Sequence, residues 1–325
     1  MEASRRRFLQ LAGTSSALSI LSSVAGATGY PARPVRLIVG GAPGSAPDVI
    51  ARLIAHWLSQ RLGQTVFVDN RNGASGNLAT EAVVAAPPDG YTLLLISASN
   101  AINVTLYDKL KFNFVRDIAP VAGVVSFPMV ITVNASFPAR TLAELIVYAK
   151  KHPGKLNIGT PPIGSPQHVA GELLDMMTGA EIVFVAYRGG PDAISDALGG
   201  QTQGVIGTVL LTIEQIRSGK LRPLAVTGAG RSELLPDVPT VNEVVPGFEA
   251  SQWIGIGAPK HTSKETIERL NREINAGLGS DALKARLIGL GGAQFPGSVA
   301  EFERFIAGET GKWAKVIKFA GIKPE

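Results

Sequence analysis

From residue 35 onward, short β-rich runs alternate with stretches of helical periodicity, and loops rich in Gly and Pro separate them. Val35-Arg36-Leu37-Ile38-Val39 reads as a strand. From about Asp48 to Leu62 the apolar residues Val49, Ile50, Leu53, Ile54, Trp57 and Leu58 recur at helical spacing, and Gly63 stops the helix. Val66-Phe67-Val68 is the next strand, the loop Arg71 to Gly76 leads into a helix near Asn77 to Ala86, and Tyr91 to Ser97 is a third, nearly unbroken apolar strand. Strands apolar on both faces must be covered on both faces, and a βαβαβ unit with a buried parallel sheet does this.

The pattern recurs after the strand Met129 to Val133. Thr141-x-x-Glu144 is a capping box opening a helix that stops before Pro153-Gly154. The strand Leu156 to Gly159, the loop Thr160 to Ser165, a helix through Leu173 and Leu174 and the strand Ile182 to Tyr187 follow. Two lobes of similar build are therefore expected. Trp253 to Ala258 is a strand, Lys264 to Leu278 a helix, and Ser298-x-x-Glu301 caps a last helix carrying Phe302, Phe305, Ile306 and Trp313. This tail is assigned back to the first lobe, which makes lobe 1 residues 28–126 plus 252–325 and lobe 2 residues 127–251.

Residues 1–27 read as an export address. Ser4-Arg5-Arg6-Arg7-Phe8-Leu9-Gln10 fits the twin-arginine pattern, Leu11 to Val24 is moderately apolar and too short to span a bilayer, and Ala25-Gly26-Ala27 is an A-x-A cleavage site. A periplasmic chain starting near Thr28, without membrane insertion after cleavage, is the expectation. Arg5, Arg6 and Arg7 against Glu2 leave the segment +2 of the formal +5, so the remainder carries only +3. No run of Lys and Arg interleaved with aromatics follows, so nucleic acid is not an expected partner. With no Cys there is no disulfide framework, thiolate metal site or cysteine nucleophile.

In open parallel sheets ligands sit at the carboxyl ends of strands, where helix N-termini offer free N–H groups and a dipole that favours anions. Three loops have that strand-loop-helix context: Gly40 to Asp48, Arg71 to Asn77, and Gly159 to His168. Taken singly, each is first a turn, with Asp48 a helix cap. Three such loops in two lobes point to a shared anion cleft, in which the Ser45 and Ser165 N–H groups are expected donors; Pro at either position should then weaken carboxylate binding. His168 either donates to an anion or packs in the first helical turn. Tyr187-Arg188-Gly189-Gly190 either brings a phenol and a guanidinium to the cleft or is a surface turn. Asp89, in Pro88-Asp89-Gly90, is first of all a turn residue. There is no G-x-x-x-x-G-K-[ST] loop, no G-x-G-x-x-G opening the first helix, and no G-x-S-x-G elbow. The four His stand far apart without ligand spacing, so neither a metal nor a cofactor is expected. An exported hydrolase using Ser75 or Ser165 is a remote alternative, since neither has a recognisable His and acid partner.

Tyr30-Pro31-x-x-Pro34-Val35, Ala42-Pro43-Gly44 to Asp48, Asp69-Asn70-Arg71 with Gly73-Ala74-x-Gly76-Asn77, and Pro88-Asp89-Gly90-Tyr91-Thr92-Leu93-Leu94 together resemble the Bug family. These are extracytoplasmic solute receptors of tripartite tricarboxylate transporters. The likeness continues through Pro153-Gly154-Lys155-Leu156, Gly164-x-x-x-His168-x-x-Gly171-Glu172, Tyr187 to Gly190, Gly219 to Val226 and Pro236-Asp237-Val238-Pro239-Thr240. It implies an α/β, two-lobed type II periplasmic-binding-protein fold, each lobe a mostly parallel sheet flanked by helices, with the ligand cleft between the lobes. It also implies a receptor that closes over a small carboxylate and meets membrane transporter subunits. A sensor kinase is the alternative partner, a monomer is expected because a hinge needs free lobes, and with no nucleophile, base or metal constellation beside the loops an enzyme is not expected. Carried onto this chain, the first-lobe ligand residues are Gly44, Ser45, Ala46, Asp48, Ala74, Ser75, Gly76, Ser97, Ser99 and Asn100, with Asp48 fixing the loop. Those of the second lobe are Thr160, Gly164, Ser165, His168, Tyr187, Arg188 and Thr208. The chain has Gly44-Ser45 where the family commonly has Gly-Gly, and Gly204 to Thr208 lacks the family's frequent acidic residue. The latter favours a mono- or dicarboxylate over an amino acid.

Overall fold

The computed structural model describes residues 29–324; the expected export segment and its cleavage site lie outside the described residues. The first lobe follows the strand-helix alternation: β1 (Val35–Val39), α1 (Ala46–Leu62), β2 (Val66–Asn70), α2 (Asn77–Val84), β3 (Thr92–Ser97) and α3 (Ala98–Leu106). In β1, Val35, Leu37, Ile38 and Val39 are all fully buried, so both faces are covered. Helix α1 lays Ile50, Ile54 and Leu58 on that sheet and ends at Gly63, whose φ of 68° is the left-handed conformation that glycine adopts without strain. Each such fully buried aliphatic side chain contributes about 1.5–3 kcal/mol.

The chain then crosses to the second lobe through one long strand, β4 (Ile118–Asn134), and continues through α4 (Leu142–Lys151), β5 (Asn157–Thr160), α5 (Pro166–Thr178), β6 (Val183–Ala186), α6 (Gly190–Leu198), β7 (Gly204–Thr208), α7 (Val209–Arg217) and β8 (Leu221–Val226). It returns on β9 (Ser251–Pro259) and ends with α8 (Lys264–Leu278), α9 (Asp281–Gly289), β10 (Ala293–Gln294) and α10 (Val299–Ala320). The first sheet has the order β2-β1-β3-β9-β4, with β10 on the far side of β4; β4 continues into the second sheet, β7-β5-β6 on one side and β8 on the other. The outer strands β1–β3 and β5–β7 pair in parallel, whereas β4 and β9 run antiparallel to their neighbours. Both sheets thus share β4: its last pair with β9 is Pro128↔Ser251 and its first with β7 is Met129↔Thr208.

Two local expectations change. Thr141 accepts the Glu144 N–H, but the Glu144 carboxylate reaches one residue further back, to the Arg140 N–H at 2.6 Å. The Ser298/Glu301 box forms as read, yet α10 does not return to the first lobe alone: it packs on both α3 and α5. Its buried Glu309 accepts the indole N–H of Trp253 and of Trp313, each at 3.0 Å, which ties the helix to the crossing strand β9.

Candidate functional site

The loop before α1 is stiffened from within. Asp48, only 2% exposed, accepts Arg52 Nε at 2.9 Å, the Gly44 N–H at 2.9 Å and Asn70 Nδ2 at 2.9 Å. Asn70 also donates to the Gly41 carbonyl at 2.9 Å. The Arg52 hydrogen bond, aided by Gly44 and Asn70 and opposed by burial, holds the Asp48 carboxyl down at about 2. The Ser45 N–H donates to the Ala42 carbonyl at 3.0 Å. The Gly44 and Ser45 N–H groups are therefore committed to the loop, which corrects the expectation that the Ser45 N–H is a ligand donor.

The loop before α2 is strained. Gly73, Ala74, Ser75 and Gly76 have successive φ values of 129°, 46°, 53° and 87°. Two of them carry a Cβ, at a cost of about 1–2 kcal/mol each. A polar network under the loop holds this shape. Asn103 Nδ2 donates to the Ser75 carbonyl at 3.1 Å and to Asn77 Oδ1 at 3.0 Å. Ser75 Oγ lies 3.1 Å from Tyr107 Oη. Thr80 Oγ1 donates to the Gly76 carbonyl at 3.2 Å and accepts Asn100 Nδ2 at 2.9 Å, while Asn100 Oδ1 accepts the Ser97 N–H at 2.8 Å. The starts of α2 and α3 thus form one unit.

From the second lobe the loop 162–166 approaches. Ser165 Oγ caps α5 by accepting the His168 N–H at 3.3 Å, and the Ser165 N–H donates to the Pro162 carbonyl at 2.9 Å, so it too is committed. Gly164, with φ of 77°, lies against Leu106 Cδ2 at the end of α3; a Cβ there would overlap it. His168 packs in the helical turn. It is 5% exposed, edge-on to Phe184 at 6.3 Å between centroids, with Nε2 3.7 Å from Glu172 Oε1. Burial lowers His168 to about 4 and, with Asp175 nearby, raises Glu172 to about 7. Tyr187 packs on the α6 side of the second sheet, where burial, then the neighbouring Asp196, pushes its hydroxyl up to about 12. Arg188 is exposed.

Between the lobes lies a cleft of about 320 Å³. It brings together Ser75, Gly76, Ser97, Ser99, Asn100, Gly164 and Ser165 of the expected residues. Ala46 and Thr208 instead flank a smaller recess of about 60 Å³ beside it. Gly44, Asp48, Ala74, Thr160, His168, Tyr187 and Arg188 do not line the cleft. Thr160 is fully buried beneath the loop. Sequence reasoning missed Asn103, Gln252 and Ile254, which also line it. The pairing Ser97↔Ile254 delivers the last two to the cleft floor. The available signal was the polar pair Ser251-Gln252 opening an otherwise apolar strand. Among the described residues, no ionisable side chain lines the cleft, and no group of three or more His, Asp or Glu is placed to hold a metal. A cavity of about 360 Å³ sits behind the crossing strands, lined by Ser126 and Ser251. Strand alternation puts those two on the face opposite Phe127 and Gln252.

The family described as "Tripartite tricarboxylate transporter family receptor" matches residues 50–322. Protein BugT of Bordetella pertussis is 37% identical over 320 residues, covering 98% of each chain. The R. palustris Rpa4515 structure with adipate is 36% identical, with a TM-score of 0.76, over 91% of this chain and 100% of that one. MatC from Rhodopseudomonas palustris, with bound malate, is 28% identical, with a TM-score of 0.72, over 89% and 100%.

Proposed function

The chain belongs to the tripartite tricarboxylate transporter receptor family, and on that premise we propose that it captures a small carboxylate between its lobes in the periplasm and hands it to membrane transporter subunits. One observation carries the reading. The starts of α2, α3 and α5 meet around a single cleft whose polar lining is hydroxyl and amide groups. Helix N-termini favour an anion through their dipole and their free N–H groups. Adipate and malate in the two related structures support a carboxylate as that anion.

In this reading Ser75, Gly76, Ser97, Ser99 and Asn100 receive the carboxylate in the first lobe. The second lobe adds Gly164 and Ser165 as it closes, while Asp48 acts on the loop and not on the ligand. The lobes divide near residues 127 and 251, where β4 and β9 pass from one sheet towards the other. Binding energy goes into lobe closure, and no bond chemistry is assigned. The exported monomer starts after Ala27.

The test is a thermal-shift and calorimetric screen of mono- and dicarboxylates on protein stripped of bound solute by unfolding and refolding, beside Gly164→Val. A bound acid raises the melting temperature by mass action. The Val side chain meets Leu106 and a strained φ, so a folded Gly164→Val protein should bind the same acid at least about tenfold more weakly. Uncharged solutes shifting the melt where no acid does would overturn the reading.

A further inference from the structure

The cavity of about 360 Å³ behind the crossing strands has one wall from each lobe. The second lobe supplies the loop 228–234 after β8, and the first supplies the segment 291–293 leading into β10. Ser126 of β4 and Ser251 of β9 lie between them, with Phe305 of α10, whose ring meets that of Phe295 edge-on at 4.7 Å between centroids. The volume is of the size that small-molecule sites have.

The lining carries a net negative charge. Arg231 is engaged by Glu243, with Nε and Nη2 at 3.1 and 2.8 Å from its two carboxylate oxygens. Lys312, which donates to the Glu249 carbonyl at 2.9 Å, pairs with the Glu309 carboxylate. Glu233 and Glu249 also line the cavity, and among the described residues neither carboxylate has a hydrogen-bond or ion-pair partner. Two unpaired acids beside two aromatic rings suit an ammonium group carried on an apolar body, and repel a carboxylate.

The cavity and the cleft lie on opposite faces of the crossing strands, since Ser251 lines the one and Gln252 the other. A rotation of the lobes about these strands that narrows the cleft widens the cavity. The reverse rotation presses the loop 228–234 towards the segment 291–293. An occupant between those walls is squeezed when the cleft opens, and overlap is costly at once, whereas closure only thins its dispersion contacts. It therefore holds the lobes towards the closed form.

We infer that this cavity is a second ligand site, that it takes an organic ammonium ion with an aromatic or alkyl body, and that its occupancy favours closure of the cleft. The coupling to the cleft rests on the carboxylate reading above; the site itself does not.

Calorimetry and small-angle scattering on the stripped protein test it with phenethylammonium, and with phenethyl alcohol as the uncharged counterpart. The ammonium should bind at least about fivefold more tightly than the alcohol at low salt, and should shrink the radius of gyration. Glu233→Gln combined with Glu249→Gln, both at exposed positions, should abolish that preference and leave the acids found in the carboxylate screen bound as before. By linkage, saturating phenethylammonium should tighten the best acid of that screen about fivefold, and the acid should tighten phenethylammonium by the same factor. Equal binding of ammonium and alcohol, binding of neither, or a preference that survives the double substitution would overturn the site. A radius of gyration and an acid affinity that phenethylammonium leaves unchanged would overturn the coupling. If no acid binds while phenethylammonium still binds and compacts the protein, the carboxylate reading falls and the cavity assignment stands.

Discussion

In the first lobe the helix after the ligand loop opens Ser45-Ala46-Pro47-Asp48, and in the second Ser165-Pro166-Gln167-His168. Each has a Ser at the cap, a Pro in the first turn and a titratable residue at the third helical position. The side chains behave oppositely. Asp48 stays charged because Arg52, Gly44 and Asn70 absorb the charge on the spot, and a helix N-terminus favours an anion. His168 is buried beside Phe184 and stays neutral, as the same dipole disfavours an imidazolium. Ser165 Oγ does the capping in its loop, whereas in the first loop the Asp48 carboxylate takes over and Ser45 Oγ caps nothing. The contrast teaches how a receptor can hold two rigid loops against a ligand without placing a full charge of its own in the cleft.

Breaking the ionic clasp should have the larger effect. Asp48→Ala leaves the Gly44 N–H without its acceptor and Asn70 Nδ2 with the Gly41 carbonyl alone, and should lower unfolding free energy by about 2–3 kcal/mol in urea titrations. Its pH signature has a definite sign. The carboxyl sits at about 2 in the folded chain against 3.8 for the free side chain. The stabilisation is therefore complete above pH about 4 and drains away as pH falls towards 2. Hydrogen bonds from Arg116 and Arg231 hold Asp117 and Glu243 down at about 2 as well, so melts of Asp48→Ala between pH 4 and 2 should show a shallower slope and not a flat one. A slope equal to that of the unmodified protein would assign the acid sensitivity elsewhere.

The second lobe should respond at a different pH and with the opposite sign. Glu172, on the same helix as His168, has its carboxyl raised from 4.5 to about 7 by burial and then by Asp175. The folded state thus binds a proton that the unfolded chain has already lost, and the Glu172 contribution to stability declines as pH rises from about 4.5 through 7, while His168, lowered from 6.5 to about 4 by burial, works in the opposite direction below 6.5. Glu172→Gln removes the cost of ionisation. It should raise the melting temperature at pH 8 by an amount worth about 1–2 kcal/mol and change little at pH 5. An equal gain at both values would make the effect one of packing.

Much of this scaffold was legible because short apolar runs ending in Gly-rich loops carry local information. The strand β1, the Gly63 stop of α1 and the Ser298 cap of α10 are set by residues within a few positions of one another. The cleft was legible only where it too is local, at Ser75, Gly76, Ser97 to Asn100, and Gly164 to Ser165. Gln252 and Ile254 reach it from more than 150 residues beyond Ser97 through strand pairing, which no local pattern announces. The side-chain directions of Tyr187 and His168 were equally hidden. Both follow strand-loop-helix segments of the right composition, yet one packs on the α6 side of its sheet and the other against Phe184. Composition places a residue near a helix start, but packing decides which way its side chain turns. The dual attachment of α10 was hidden for a related reason, since a helix with buried residues on α3 and on α5 looks in sequence like any other amphipathic helix.

The smallest effect expected is also the one that separates a stiffened loop from a ligand-donating one. Ser45 already has φ of −69° and its N–H is spent on the Ala42 carbonyl. Proline fits that φ, and the residue before it, Gly44, has no Cβ to clash with the ring. Ser45→Pro therefore removes one turn hydrogen bond and restricts the unfolded chain. The two effects are of opposite sign and should leave stability within about 1 kcal/mol. Carboxylate affinity, measured by calorimetry, should stay within about twofold, because no ligand donor is lost. A tenfold loss in a folded Ser45→Pro protein would mean that the loop opens when ligand arrives and releases the Ser45 N–H to it. The ionic clasp at Asp48 would then be the spring of that movement and not its stop.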